Sequence, residues 1–398
     1  ARQDLAVSPS VALATSGVQL ADVDGDGRID LLARLGPGAG DFRYFPAAAD
    51  LGFGAAVALT NDPGFSFEDP DVRLLDVTGD GRADVLRTAP GEIIFYENLG
   101  GGSYADGVVL PESDATMDVR FSDAQHVKLA DLNGDGLVDV VYLRSESLVY
   151  WPQLGYGRFS AAVEVTNVPA LPDLAWVEVR DLNGDGLGDL VRVGVSQVDY
   201  WLNQGNGTLG AGQVIADTPF RDPTTTVVQF GDMNGNGSED IVWIDLSGDP
   251  AEAWQYLDVM GSTRPGLLET ADNGLGKVLR AEYTSSGALS AAARQSGDPW
   301  TIELPVPTQV VARITTSDSM GADRVTELTY RDGHWNGVER EFRGVGQAEQ
   351  REIGDAHTPT LVSAVTFDVG WEDSARKGLV VRKEARETGG KVYRVESS

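Results

Sequence analysis

"DVDGDGRIDLL" (22–32) places Asp22, Asp24, Asp26 and Asp30 within nine residues, punctuated by Gly25 and Gly27. The stretch is not alone. "DVTGDGRADVL" begins at 76, "DLNGDGLVDVV" at 131, "DLNGDGLGDLV" at 181 and "DMNGNGSEDIV" at 232, so the starts lie 54, 55, 50 and 51 residues apart. A short alternating segment precedes each copy (VQLAD, VRLLD, VKLAD, VEVRD, VQFGD) and an apolar run follows it. An aromatic segment comes about ten residues later, as in "IIFYENLGGGSYA" and "LVYWPQLGYGRFS".

Segments rich in Val, Leu, Ile, Tyr and Trp, broken by Gly, Asp, Asn and Pro, are strand and turn chemistry. No window has helical periodicity of useful length. Four short strands recurring in about 50 residues indicate a propeller blade. The expected fold is therefore all-β, a β-propeller of five recognisable four-stranded repeats (five to seven blades), followed by a smaller β-rich domain.

Each loop offers side-chain oxygens at positions 1, 3 and 5, a backbone carbonyl at 7 and a carboxylate at 9, a set that suits calcium, with glycine at position 6 permitting the sharp turn. The expected ligands are Asp22, Asp24, Asp26, the carbonyl of Arg28, and Asp30 in the first copy; Asp76, Thr78, Asp80, Arg82 and Asp84 in the second. Asp131, Asn133, Asp135, Leu137 and Asp139 form the third set, Asp181, Asn183, Asp185, Leu187 and Asp189 the fourth, and Asp232, Asn234, Asn236, Ser238 and Asp240 the fifth. An EF-hand would need Glu at position 12 and flanking helices; here position 12 is Ala33, Arg87, Tyr142, Arg192 or Trp243. The expectation is several structural Ca2+ staples, weakening from the first copy to the fifth as ligand charge falls. The competing reading is a metal-free Asx-type turn. A catalytic metal centre fits poorly, because chemistry needs one open site, not five copies.

The 398 residues carry a net charge of −30. Residues 1–262 hold 41 acidic and 14 basic side chains, whereas 263–398 hold 20 and 17. That asymmetry marks a boundary near 262, dividing a propeller (1–262) from a β-rich domain (263–398). Such an acidic surface repels phosphate backbones, which argues against nucleic acid as a partner. No apolar run of 18 residues suggests a membrane span. Cysteine is absent, excluding disulfides and thiolate chemistry. Without an initiating Met or a signal-peptide pattern, the sequence reads as a piece of something longer.

Tyr44, Phe95, Tyr96, Tyr150, Trp151, Tyr200, Trp201 and Trp254 recur at equivalent places and are expected to pack between blades. His126, His334 and His357 lack metal-ligand spacing. Glu339, Arg340, Glu341 and Arg343 are expected to be paired surface charges along a strand, not an acid–base pair, so no catalytic residue is assigned.

The Asp-Gly repeats with "YWPQLGYGRF" resemble FG-GAP/VCBS repeats. With "ETADNGLGKVLRAEYTSS" (269–286), "PWTIELPVP" (299–307) and "GHWNGVEREFRGVGQ" (333–347), the chain resembles the middle region of insecticidal toxin-complex (Tc) B components and SpvB-like Rhs-type virulence proteins. That resemblance implies a secreted, non-enzymatic scaffold. It would dock a pore-forming toxin A component, gate passage of a toxic polypeptide and lead into an Rhs-type shell. The alternative is a calcium-dependent adhesin or a carbohydrate-binding propeller, with a glycan as partner.

Overall fold

The computed structural model describes the chain except at residues 1–8, 10, 12–14, 16, 37–40, 49–51, 62–63, 111–116, 249–252, 262–263, 303, 305–306, 319–320, 322, 338, 340 and 398. Arg340 and the expected boundary at 262 thus lie outside the described residues. The protein is all-β, a five-bladed propeller followed by a larger sheet.

Blade one pairs Val18–Ala21, Asp30–Arg34, Phe42–Phe45 and Val57–Ala58; blade two pairs Val72–Leu75, Asp84–Ala89, Glu92–Tyr96 and Val108–Val109. Blade three is Val127–Ala130, Asp139–Leu143, Leu148–Trp151 and Val163–Val165; blade four is Val177–Arg180, Asp189–Val193, Gln197–Trp201 and Gln213–Ala216. The fifth sheet has three strands among the described residues, Thr226–Gly231, Asp240–Asp245 and Trp254–Leu257, instead of four. All pairs with a determined register are antiparallel, with Ala21 opposite Asp30, Leu75 opposite Asp84, Ala130 opposite Asp139 and Arg180 opposite Asp189. Every aspartate loop therefore closes the hairpin between first and second strands, and its last Asp is the first residue of the second strand.

Second strands such as DVVYL and DLVRV read as continuous apolar runs because both their faces are covered. Leu86, Phe95, Val140 and Trp151 share one cluster spanning blades two and three; Val141, Tyr150, Val177 and Leu190 share another spanning three and four. Tyr44 and Tyr96 contribute to the cluster spanning blades one and two. Tyr200 and Trp201 are half-buried. Trp254 departs from expectation: it is 61% exposed, with its neighbour Tyr256 also at the surface. Its strand is exposed at three of four positions.

By compactness the chain divides into Ala1–Val227 with Asp245–Ser247, and Val228–Ile244 with Gly248–Ser398. The second unit combines most of the fifth sheet with an eight-stranded antiparallel sheet running from Thr270–Asp272 to Val392–Ser397 in chain order. It also holds a helix, Ser286–Gln295, which the sequence reading missed. Its segment, SGALSAAARQ, is too rich in small residues to show an apolar stripe. The helix is nevertheless well specified: Ser285 accepts a hydrogen bond from the Ala288 N–H, and alanine has the highest helix propensity.

Loop positions 4 and 6 are left-handed throughout, at φ 79° for Gly134 and 85° for Gly136, a region that glycine enters without Cβ strain. Position 4 has a second constraint. A Cβ on Gly134 would lie 3.1 Å from a Leu187 methyl, whereas one on Gly136 would meet nothing within 4 Å. Gly134→Ala should therefore destabilise more than Gly136→Ala, whose cost is about 1–2 kcal/mol from backbone strain. Equal losses in urea unfolding would contradict this packing account.

Candidate functional site

The loop carboxylates are held by backbone N–H groups. Asp22 accepts from Gly25 and Gly27 at 2.8 and 2.9 Å, and Asp131 accepts from Gly134 and Gly136, both at 2.7 Å. Asp76, Asp181 and Asp232 repeat the same pair of bonds. The position-9 carboxylate works across the blade. In blade four, one oxygen of buried Asp189 accepts from Leu182 N–H at 3.0 Å and the other from Asn203 N–H, beyond the third strand, at 2.8 Å. Asp30, Asp84 and Asp139 make the equivalent bonds to Val23 and Ala47, Val77 and Asn98, and Leu132 and Gln153.

Burial pushes these position-9 carboxyls up, to about 6 for Asp30, Asp84, Asp139 and Asp240 and to about 7 for Asp189, with the backbone donors pulling the other way. Asp22 and Asp24 are also raised, chiefly by burial and further by the nearby Asp26 charge.

In blades two to four, the residue whose N–H completes the set carries a link to the preceding blade. Asn98 Nδ2 donates to the Val23 carbonyl, Gln153 Nε2 to Asp76 and Asn203 Nδ2 to Leu132, each at 2.9 Å. All three are buried at 5% exposure or less. Sequence reasoning missed them; the available signal was the Asn or Gln two residues after each aromatic pair, in "FYEN", "YWPQ" and "YWLN". Loop backbones also join one another. Ala83 N–H donates to Asp22 at 2.9 Å and Gly188 N–H to Asp131 at 2.6 Å. Arg82, Leu137 and Leu187 at position 7 rest on Gly25, Gly79 and Gly134 of the preceding loop.

Of the first expected ligand set, three carboxylates come together. Among the described residues, Asp22, Asp24 and Asp30 form the one group of three acidic or histidine ligands whose oxygens lie within 4.8 Å of one another. Asp26 is paired with Arg28, and Asp80 with Arg82, through their guanidinium groups. In loops three and four the position-3 amides turn to position 5, Asn133 Nδ2 to Asp135 at 3.0 Å and Asn183 Nδ2 to Asp185 at 2.9 Å. Thr78 Oγ1 lies 3.4 Å from Asp76 and its N–H donates to Asp84 at 2.9 Å.

Residues at the edges of the 299–307 and 333–347 motifs meet. Asp332 Oδ1 accepts from Thr301 N–H and hydroxyl at 2.7 and 2.9 Å, and Arg331 pairs with Asp298. Arg343 corrects the surface-charge expectation: its side chain is 4% exposed, donating to the Gly370 carbonyl at 2.5 Å and Ser374 Oγ at 2.9 Å while pairing with Glu339. Glu341 pairs with Lys377. The cluster clamps the turn at 370–374, the work of a buried structural arginine. Buried His334 packs on Trp371 at 4.9 Å, His126 binds Asp123 at 2.8 Å, and His357 is exposed.

Tandem aspartate-loop blades followed by a long antiparallel sheet define a propeller scaffold. Residues 203–370 match the family described as the insecticide toxin TcdB middle/N-terminal region, and 131–192 match the FG-GAP-like repeat. No curated protein matches. Among solved structures, the Photorhabdus luminescens Tc holotoxin pore, in a form mutated in TccC3, is similar at TM-score 0.82 and 24% identity, over 97% of this chain and 20% of that one. TcdB2–TccC3 is similar at TM-score 0.62 and 21% identity, over 94% of this chain and 23% of that one. The chain thus spans about a fifth of the length of the proteins it matches. The motif-based resemblance to the Tc B middle region holds in both sequence and fold.

Asn203→Ala would strand the buried Leu132 carbonyl and remove the acceptor of the Gly205 N–H. It should cost about 2–4 kcal/mol in denaturant unfolding; a loss below about 0.5 kcal/mol, the usual range for surface positions, would contradict the link. The raised position-9 carboxyls bind protons in the folded state that the unfolded chain releases above its ordinary aspartate range. Their contribution is therefore present at low pH and lost as pH rises through about 6 to 7. In chelator, the melting temperature should fall between pH 5 and 8; a rise would contradict this.

Proposed function

We propose that the chain is a non-catalytic docking and gating scaffold from a secreted Tc-type toxin complex. The match of 203–370 to the TcdB middle region carries this reading. The docking partner would be a pore-forming A component, and the sheet of the second unit would lead toward an Rhs-type shell. Among the described residues no helix is long and apolar enough to cross a membrane, consistent with a scaffold that leaves membrane insertion to its partner. Residues 1–262 would form the propeller and 263–398 the domain that follows it.

We further propose calcium at the first loop. Asp22, Asp24 and Asp30 supply hard carboxylate oxygens on one short turn, the donor chemistry calcium prefers. They would hold the ion, whose charge would offset the mutual repulsion of three acids. Loops three and four would follow with three aspartates and an asparagine carbonyl each, and loop two with a threonine.

Immobilised chain should bind the A component of its own complex saturably and ignore a glycan array; strong glycan binding without A-component binding would favour the carbohydrate-binding alternative. Millimolar calcium should raise the melting temperature relative to chelator, and Asp24→Asn should weaken the response. A melting temperature indifferent to calcium would remove the staple.

A further inference from the structure

The fifth loop departs from the other four in a consistent way. Position 5 is Asn236 instead of Asp, and it is 4% exposed, while Asp80, Asp135 and Asp185 lie at the surface. Position 7, Ser238, is 2% exposed.

Every polar group of Asn236 already has a partner within the protein. Its side-chain oxygen accepts from the Ser238 N–H at 2.8 Å and hydroxyl at 2.9 Å; its Nδ2 donates to the Gly261 carbonyl at 2.8 Å. Its backbone carbonyl accepts from Gln309 Nε2, at the start of the third strand of the eight-stranded sheet. An amide oxygen has two lone pairs, and both are taken. At position 3, Asn234 Nδ2 donates to Asp258 at 2.8 Å, and Asp258 in turn accepts from Gly261 N–H at 2.7 Å. Position 4 faces the helix: a Cβ on Gly287, in its first turn, would lie 3.5 Å from Gly235. The Asp240 oxygen that should take the third-strand N–H has no hydrogen-bond partner among the described residues.

We propose that the fifth loop is not a calcium site but a metal-free latch. Its two asparagines tie the fifth sheet to the 258–261 turn, and Gln309 ties it to the eight-stranded sheet. The substitutions that lower its ligand charge convert carboxylates into paired donor–acceptor groups. A carboxylate at position 236 could not donate to Gly261 and would set its own oxygen against that carbonyl. The contrast with the other loops rests on the calcium reading given above; the latch itself does not.

Hydrogen exchange on the full chain, followed by mass spectrometry, separates the two. On adding millimolar calcium, the peptide covering 22–30 should gain protection and that covering 232–240 should not. With Gln309→Ala, protection of 232–240 should fall about tenfold, the factor that one ordinary hydrogen bond is worth, while 22–30 stays unchanged. Gln309→Glu, which keeps the size but turns an oxygen toward the Asn236 carbonyl, should reproduce the loss if the alanine variant does not fold. Calcium-induced protection of 232–240, or indifference of that peptide to both Gln309 variants, would overturn the latch. Silence of 22–30 toward calcium would instead count against the calcium reading alone.

Discussion

A buried aspartate carboxylate that receives backbone N–H groups from both sides is the constraint on which the blades depend. In blade four, Asp189 joins the loop at Leu182 to the end of the third strand at Asn203. Burying a carboxylate costs free energy, which the donors offset only in part, since burial still raises its proton affinity; those donors are amides that would otherwise be orphaned at a strand end. One side chain thus fixes the loop, the start of the second strand and the exit of the third. The loop would need this geometry with or without an ion, so calcium, where bound, reinforces a turn that is already held.

From that anchor the structure propagates between blades. Asn98, Gln153 and Asn203 extend an amide to the previous loop, and Arg82, Leu137 and Leu187 at position 7 rest on the previous loop's position-4 glycine. Loops one to four therefore form a chain of mutual supports in which position 7 contributes its side chain. That arrangement explains why Arg and Leu both serve at position 7: each offers a long aliphatic stem to cover glycine. It also explains how the fifth loop could diverge. With polar partners supplied by Gly261, Asp258 and Gln309, its asparagines no longer need to serve as ion ligands.

Much of this was legible in the sequence. The repeat period, the alternation of strands and the hairpin position of "DLNGDGLVDVV" followed from local pattern, because a loop and its two strands are contiguous. The aspartate loops lie at the hairpins that the pattern indicated, yet Asp26 and Asp80 turn to the arginines two residues on, a choice that spacing does not encode. The inter-blade amides escaped notice because Gln153 meets Asp76 across 77 residues, and a polar residue after an aromatic pair reads simply as the start of a turn. Arg343 looked like one of several strand charges; its burial depends on Gly370 and Ser374 folding back over it. The helix at 286–295 lacked periodicity because alanine and serine line most of its surface.

The central claim is that position-9 carboxylates, not bound ions, hold the loops to their blades. Residue-resolved amide exchange in chelator tests it most directly, at Leu132 and Leu182 beside Gln153 and Asn203. These four N–H groups should exchange only through global unfolding, with protection matching the unfolding free energy of their blades. If they instead exchange as fast as surface loops until calcium is added, the ions hold the blades and the account is wrong.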